Sequence, residues 1–266
     1  MSQGEISEAE ASYFGAQAVW GVTKHMGGLK ATEELVDLCH VDEGAYVLEV
    51  GSGVGMTSCY IAIDYGCRVV GVDLSEEMVQ WARRRAKNQG LEDRVEFRVA
   101  DAKDLPFEND LFDAVISESV TAFVQDKQKA ISEYGRVTKP GGYVGLNEGT
   151  WMKPSPPTAL VEYVHHTMAG AEFLTGDGWR ELLEGSQLTD VVARTYKLSP
   201  MSQWINEMRG LSSRDVADRV RAMGKFVSSM ITSPAFRRYA RQITPSRKTL
   251  KDFFEYVGYG MYVGRR

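Results

Sequence analysis

Cysteine is scarce in this chain: three residues, Cys39, Cys59 and Cys67, stand in 266. The number is odd and no CxxC pair occurs, which argues against a disulfide framework and against a structural zinc site. The three read as small buried residues. Long apolar runs are also missing. No stretch of about 18 apolar residues exists, so the sequence offers no membrane-spanning helix. The start, Met1 to Ala11, is polar and acidic and lacks the basic end and apolar stretch of a secretory leader; the compartment expected is the cytoplasm. Internal repeats and low-complexity tracts are absent. What is present is ordinary globular composition, 43% hydrophobic and 25% charged, too apolar for disorder. The length fits one α/β domain with insertions, with two domains left open.

Charge is unevenly spread. The net charge is −5, yet residues 199–266 hold 13 Lys/Arg against 5 Asp/Glu, and residues 1–198 hold 18 against 31. An acidic body joined to a basic segment reads as two functional parts. The acidic balance argues against nonspecific nucleic-acid binding. Arg237, Arg238 and Arg241 keep an anionic partner open, or else pair with the acidic body or with a second subunit.

From Gly44 to Trp151 strands and helices alternate. Tyr46–Val50 is a short apolar run ending in glycines, and Thr57–Asp64 reads as a helix. Arg68–Asp73 is the second strand. Ser75 then caps a helix that runs to Gln89, with Glu76 and Glu77 in its first turn and Gly90 beyond its end. Val95–Val99, Phe112–Ile116 and Tyr143–Asn147 are further strands. A helix over 126–137 and a Pro140-Gly141-Gly142 turn stand before the last of these. Such spacing predicts βαβ units and a parallel sheet. Beyond Pro154, Pro156 and Pro157, helices are expected over 158–169 and 175–184, a strand over Thr189–Lys197, helices through 200–252 and a final strand over Glu255–Val263. Val216, Val220, Met223, Val227 and Met230 mark one apolar helix face. The predicted fold is α/β and Rossmann-like: a mostly parallel seven-stranded sheet with helices on both faces and a helical insertion before the last strand. Residues 1–43 form an N-terminal helical cover, 44–198 the core, 199–252 a lid or oligomerisation insertion, and 253–266 the last core strand.

The strongest chemical signal is Glu49-Val50-Gly51-Ser52-Gly53-Val54-Gly55 at the end of the first strand. Glycines there let the backbone turn and approach a ligand without a Cβ in the way. Ligands of open α/β sheets bind beyond the carboxyl ends of the strands. The dinucleotide fingerprint G-x-G-x-x-G is not met, because its third glycine position is Met56, and no Gly-Lys-Ser/Thr is present. Asp73 ends the second strand and suits two ribose hydroxyls. Asp101 follows the third and suits an adenine amino group. Three consecutive strands thus each end in a residue fit for a nucleoside.

In these pieces residues 44–150 resemble a class I S-adenosylmethionine (SAM)-dependent methyltransferase of the small-molecule, type 11-like kind. The matching segments are Val47-Leu48-Glu49-Val50-Gly51-Ser52-Gly53-Val54-Gly55, Gly71-Val72-Asp73-Leu74-Ser75, Ala100-Asp101-Ala102, Leu105-Pro106-Phe107 with Phe112-Asp113-Ala114-Val115, and Arg136-Val137-Thr138-Lys139-Pro140-Gly141-Gly142. The resemblance implies SAM as cofactor and in-line methyl transfer. It places Gly51, Gly53 and Gly55 beneath the amino-acid part and Asp73 at the ribose hydroxyls, with Ser52 and Leu74 also among the cofactor-binding residues. Asp101 and Ala102 go to the adenine, Ser117 and Glu118 lie near the sulfonium, and Glu49 lies near the ammonium. Relatives cover the cofactor with an N-terminal segment, a role open to Tyr13, Phe14 and Trp20.

No catalytic base is evident. His25, Glu118, Glu148 and His165 are the candidates; His165 and His166 are adjacent, so on one helix they point about 100° apart. No metal cluster is expected. The acceptor expected is a small molecule rather than nucleic acid or membrane, since an Asn/Asp-Pro-Pro-Tyr/Phe tetrad is absent where Ser117-Glu118-Ser119-Val120 stands. A homo-oligomer through residues 199–252 is open, with Met201, Trp204, Met208, Met223 and Phe226 as alternative pocket-lining residues. A non-catalytic SAM-binding regulator and an NAD-dependent oxidoreductase are the competing readings.

Overall fold

The structure, a computed structural model, describes residues 14, 25–198 and 213–266. Strands β1 (Tyr46–Val50), β2 (Arg68–Asp73), β3 (Val95–Val99), β4 (Phe112–Glu118), β5 (Thr138–Trp151), β6 (Leu174–Thr175), β7 (Thr189–Lys197) and β8 (Val257–Arg265) form one sheet. The order along it is β3-β2-β1-β4-β5-β8-β7, with the two-residue β6 paired to β5. All pairings up to β5 and that of β6 are parallel; β8 runs antiparallel between β5 and β7. The expected seven-stranded, mostly parallel sheet is present, with β6 as an eighth, short member.

Apolar residues on both faces of the central strands force helices onto both sides. Val47, Val69, Ala114 and Ile116 face α1 (Gly28–Leu38), α2 (Met56–Asp64) and α3 (Glu76–Gln89), which contribute Leu35, Ile61 and Ala82. Leu48, Val70, Val115 and Leu146 face the other way. They pack against Ile131 and Tyr134 of α4 (Lys127–Val137), Leu160 of α5 (Thr158–Thr167) and Trp179 of α6 (Gly176–Gly185). All three cysteines are buried. Ser75 caps α3 by accepting from the Met78 amide at 3.3 Å, and Gly90 ends it at φ 66°.

Several boundaries differ from the sequence reading: β4 runs to Glu118 rather than Ile116, β5 to Trp151 rather than Asn147 and β8 to Arg265 rather than Val263, and two strand starts move as well. Strand β5 includes Pro140-Gly141-Gly142, because the turn is a bulge: Phe112 pairs Thr138, whereas Ala114 pairs Tyr143. Strand β8 starts two residues late, since Glu255 and Tyr256 complete the last turn of the preceding helix. That helix, α9 (Arg247–Tyr256), follows α7 (Ser213–Thr232) and α8 (Pro234–Ile243). Among the described residues no helix is long and apolar enough to cross a membrane.

Candidate functional site

The carboxyl ends of β1 to β4 open onto a cavity of about 490 Å³, lined by Val50, Gly51, Gly53, Asp73, Leu74, Ala100, Asp101, Ala102 and Glu118 among others. The glycine loop makes its floor. After Val50 the chain reverses, with the Gly51 and Ser52 amides both donating to the Val72 carbonyl at 2.7 and 2.9 Å. Gly51 has φ +77°, and a Cβ there would lie 2.1 Å from the Val120 side chain on the opposite wall. Gly55, at φ +75°, has another task. Phe97 and Ala82 lie against it, so its missing side chain lets α2 and α3 pack on the sheet rather than admitting a ligand.

Asp73 organises the loop. One carboxylate oxygen accepts the Gly53 amide at 2.9 Å and the other accepts the Ser75 amide at 2.9 Å. Burial pushes its carboxyl up from the usual range, and those two amides oppose the shift. Each oxygen keeps a lone pair for a hydroxyl donor. Leu74 is 73% exposed yet borders the cavity, giving it an apolar wall beside Met78 and Ala102. Asp101 accepts the Lys103 amide at 2.9 Å.

The far wall is Glu118, buried at the end of β4. Its carboxylate accepts from the Thr57 hydroxyl at 2.9 Å, from the Thr32 hydroxyl at 3.1 Å and from Asn147 Nδ2 at 3.2 Å. His25 Nε2 lies 3.0 Å from Thr32 Oγ1 and 3.8 Å from Glu118 Oε1. The neighbouring Met26 amide donates to Ser119 Oγ at 3.3 Å, and the Met26 carbonyl accepts from Asn147 Nδ2 at 2.9 Å. These bonds tie the segment before α1 to the cavity rim. Phe14 also borders the cavity and meets Phe123 edge-to-face at 5.0 Å. Tyr13 and Trp20 lie outside the described residues.

Several residues expected at the site stand elsewhere. Glu148 is fully buried, but its carboxylate accepts the amides of Val120, Thr121 and Ala122 at 3.1, 2.6 and 3.2 Å. It fixes the turn that carries Val120 and Phe123 and does not reach the cavity as a base. Burial pushes it up to about 7, against those three amides. His165 and His166 are exposed on α5 and neither borders the cavity. Ser117 is buried beneath the same turn, 3.3 Å from the Thr121 hydroxyl. Ser52 is buried behind the loop. Met223 and Phe226 lie outside the cavity lining, and Met201, Trp204 and Met208 lie outside the described residues. Met78, Phe123 and Val124, not singled out from sequence, also line the cavity; they stand in the segments that follow β2 and β4.

Glu49 sits behind the glycines, hydrogen-bonded by the Ser58 hydroxyl of α2. Burial pushes its carboxyl up to about 8; Ser58 opposes this, and the nearby charges of Glu118 and Asp73 add to it. The folded chain therefore holds this proton more tightly than the unfolded chain, whose glutamates titrate near 4.5. From this group, stability is greatest below about pH 4.5 and falls as pH rises toward about 8. Thermal melts between about pH 5.5 and pH 8 should show a steeper loss for the wild type than for Glu49→Gln. Equal slopes would mean that Glu49 ionises freely in the fold.

Comparison with known proteins agrees with this geometry. A family model described as a methyltransferase domain matches residues 48–146. The methyltransferase GfsG of Streptomyces halstedii is 36% identical over 182 residues, 65% of this chain and 65% of its own length. Phosphoethanolamine N-methyltransferase 1 of Arabidopsis thaliana is 32% identical over 167 residues, 63% of this chain and 33% of its own. The chain thus spans less than two thirds of these relatives. In three dimensions it is similar to phosphoethanolamine N-methyltransferase 2 of Haemonchus contortus, solved with S-adenosyl-L-methionine: TM-score 0.74, 18% identity, covering 100% of this chain and 60% of that one.

Proposed function

We propose, because the chain belongs to the class I SAM-dependent methyltransferase family, that its cavity binds SAM and that the methyl group passes to a small organic acceptor. The observation that carries this reading is the charge of the cavity. Asp73, Asp101 and Glu118 line it, and no Lys, Arg or His stands among the described lining residues. SAM brings a sulfonium and an ammonium, both cations, whereas a dinucleotide brings a pyrophosphate that three carboxylates repel. The Cβ-free floor at Gly51 fits a ligand held close to the backbone.

Each residue then has a task. Asp73 holds the ribose hydroxyls with its two remaining lone pairs, and Asp101 meets the adenine amino group. Leu74, Met78 and Ala102 pack on the purine faces. Gly51 and Gly53 pass beneath the amino-acid part, with Glu49 behind them near the ammonium. Glu118 faces the sulfonium end. Bound SAM supplies an activated methyl and a good leaving group, so the protein has to align the acceptor and exclude water. Phe14 and the residues tied down around Met26 serve as the N-terminal cover. A base is needed only for an acceptor that carries its proton at working pH; of the candidates Glu118 lines the cavity, whereas His25 does not border it and stands behind Glu118, 3.0 Å from Thr32 Oγ1. The acidic cavity disfavours a polyanionic acceptor, which supports a small molecule over nucleic acid.

Calorimetric titration of the full chain with SAM and, separately, with NAD tests the cofactor assignment. Saturable SAM binding with NAD binding weak or absent is expected. Tighter binding of NAD would contradict the assignment.

A further inference from the structure

Glu118 ends β4, is 7% exposed and borders the cavity, yet three other elements hold it. Its donors are Thr57 of α2, Thr32 of α1 and Asn147 of β5. Counting protons gives these contacts a direction. Thr32 has one hydroxyl proton, and its oxygen lies 3.1 Å from both Glu118 oxygens and 3.0 Å from His25 Nε2. A carboxylate oxygen can only accept, so that proton points to Glu118 and His25 Nε2 donates to Thr32. Asn147 is fixed in the same way. The Met26 carbonyl and Glu118 both accept, at 2.9 and 3.2 Å, so the amide turns its NH2 group to them. Its oxygen is left buried with no hydrogen-bond partner among the described residues. A buried polar atom without a partner is uncommon in a folded chain. The fold accepts that oxygen and keeps the two donors.

Every hydrogen bond to Glu118 thus comes from a donor, which is the complement of an ionised carboxylate. Positive charge near it is sparse. Its ion-pair partner among the described residues, His25, stands 3.8 Å away, and the neighbouring Glu49 has the same sign. A buried charge without a close counter-ion is costly, and a cationic ligand supplies one.

Strand order places that ligand. β3, β2, β1 and β4 lie side by side, and the cavity is lined past their ends by Asp101, Asp73, the glycine loop and Glu118 in that order. With SAM bound, the first three meet adenine, ribose and the amino-acid part. The sulfur joins the ribose to the amino-acid part, which sets Glu118 beside it from β4. SAM and S-adenosylhomocysteine differ only at this sulfur, where one carries a methyl and a positive charge and the other carries neither.

We propose that Thr32 and Asn147 are positioning residues for Glu118, held as a fixed negative charge that selects the sulfonium cofactor over its thioether product. The inference rests on the cavity being the SAM site and adds what that site discriminates. In the transfer the acceptor's lone pair forms the new bond to carbon, and the carbon–sulfur pair stays on sulfur. The positive charge passes to the acceptor. Glu118 then faces a neutral sulfur, and the attraction that held the cofactor is gone as the product forms.

Calorimetric titration of the full chain with SAM and with S-adenosylhomocysteine tests this, because the shared adenine, ribose and amino-acid contacts cancel in the ratio of the two Kd values. Glu118→Gln should shift that ratio toward S-adenosylhomocysteine by about 10-fold or more, through loss of one charge pair at an effective dielectric constant of about 20. Thr32→Val and Asn147→Leu each leave one donor fewer on the carboxylate and should shift it the same way by about threefold or more. Thr32→Ser should restore the wild-type ratio. Melting curves check folding. If Thr32→Val does not fold, Thr57→Val removes the 2.9 Å donor from a different helix and takes its place. Equal losses for both ligands in the Thr32 and Asn147 variants would make these residues merely structural and overturn the proposal. So would a ratio unmoved by Glu118→Gln. A wild type that binds neither ligand would instead overturn the SAM reading, and the proposal with it.

Discussion

Gly51→Ala is expected to lose SAM binding and to lower stability by about 2–5 kcal/mol. About 1–2 kcal/mol comes from placing a side chain at φ +77°, and about 1–3 kcal/mol from forcing a methyl into a packed contact. The methyl would sit 2.1 Å from Val120, and Val120 cannot retreat cheaply. Its amide and the next two are held by Glu148, so the turn would have to leave three hydrogen bonds, two of them buried. In a chain of this size the loss corresponds to a melting point lower by roughly 5–15 °C. Gly44→Ala is the control. Gly44 also has positive φ, +81°, but nothing lies within 4 Å of its would-be Cβ. It should carry only the backbone strain and leave SAM affinity intact. Differential scanning fluorimetry with and without SAM reads both variants. A Gly51→Ala protein that melts and binds like the wild type would show that the cavity floor lies elsewhere.

Asp73→Ala is expected to weaken SAM binding by about 1.5–3 kcal/mol, the value of a hydrogen bond to a charged group, or roughly 10- to 150-fold in Kd. The same carboxylate also holds the Gly53 and Ser75 amides, so a fall in affinity has two sources. Asp73→Asn separates them. One amide oxygen can still accept from the backbone, but the second acceptor and the charge are gone. Calorimetry on folded variants should rank affinity as wild type above Asn above Ala. Equal affinities would remove Asp73 from the ribose site.

Much of this arrangement was legible in the sequence because short parallel strands announce their ends. The first two runs stop at a glycine and an aspartate, Asp101 stands two residues past the third strand, and strand ends are where ligands of such sheets gather. Asp73 and Asp101 were found that way, Glu118 came from the family resemblance, and all three border the cavity. Glu148 shows the limit. A carboxylate aimed at a pocket and one aimed at backbone amides look alike in sequence. The difference depends on a turn 28 residues earlier in the chain, at Val120. Gly55 was grouped with its neighbours by motif, although its closeness to Phe97 and Ala82 arises only when α2 and α3 pack on the sheet. Periodicity likewise revealed the apolar face of α7 but not what that face meets. Strand β6 has two residues, too few for any alternation to register. The start of β8 was misread because the aromatic run Phe253-Phe254-Glu255-Tyr256 suits a strand, whereas in the fold it finishes a helix.

The measurement closest to the central claim follows the methyl group itself. The full chain is incubated with SAM bearing a deuterated methyl and with a small-molecule metabolite extract, and the mixture is resolved by mass spectrometry for labelled products and for S-adenosylhomocysteine. The account predicts a labelled small molecule formed in step with S-adenosylhomocysteine, and both products formed roughly 10- to 150-fold more slowly with Asp73→Ala at a SAM concentration below the wild type's Kd. SAM that binds tightly but is never consumed, whatever extract is supplied, would contradict methyl transfer to a small molecule and leave the chain a binder of its cofactor.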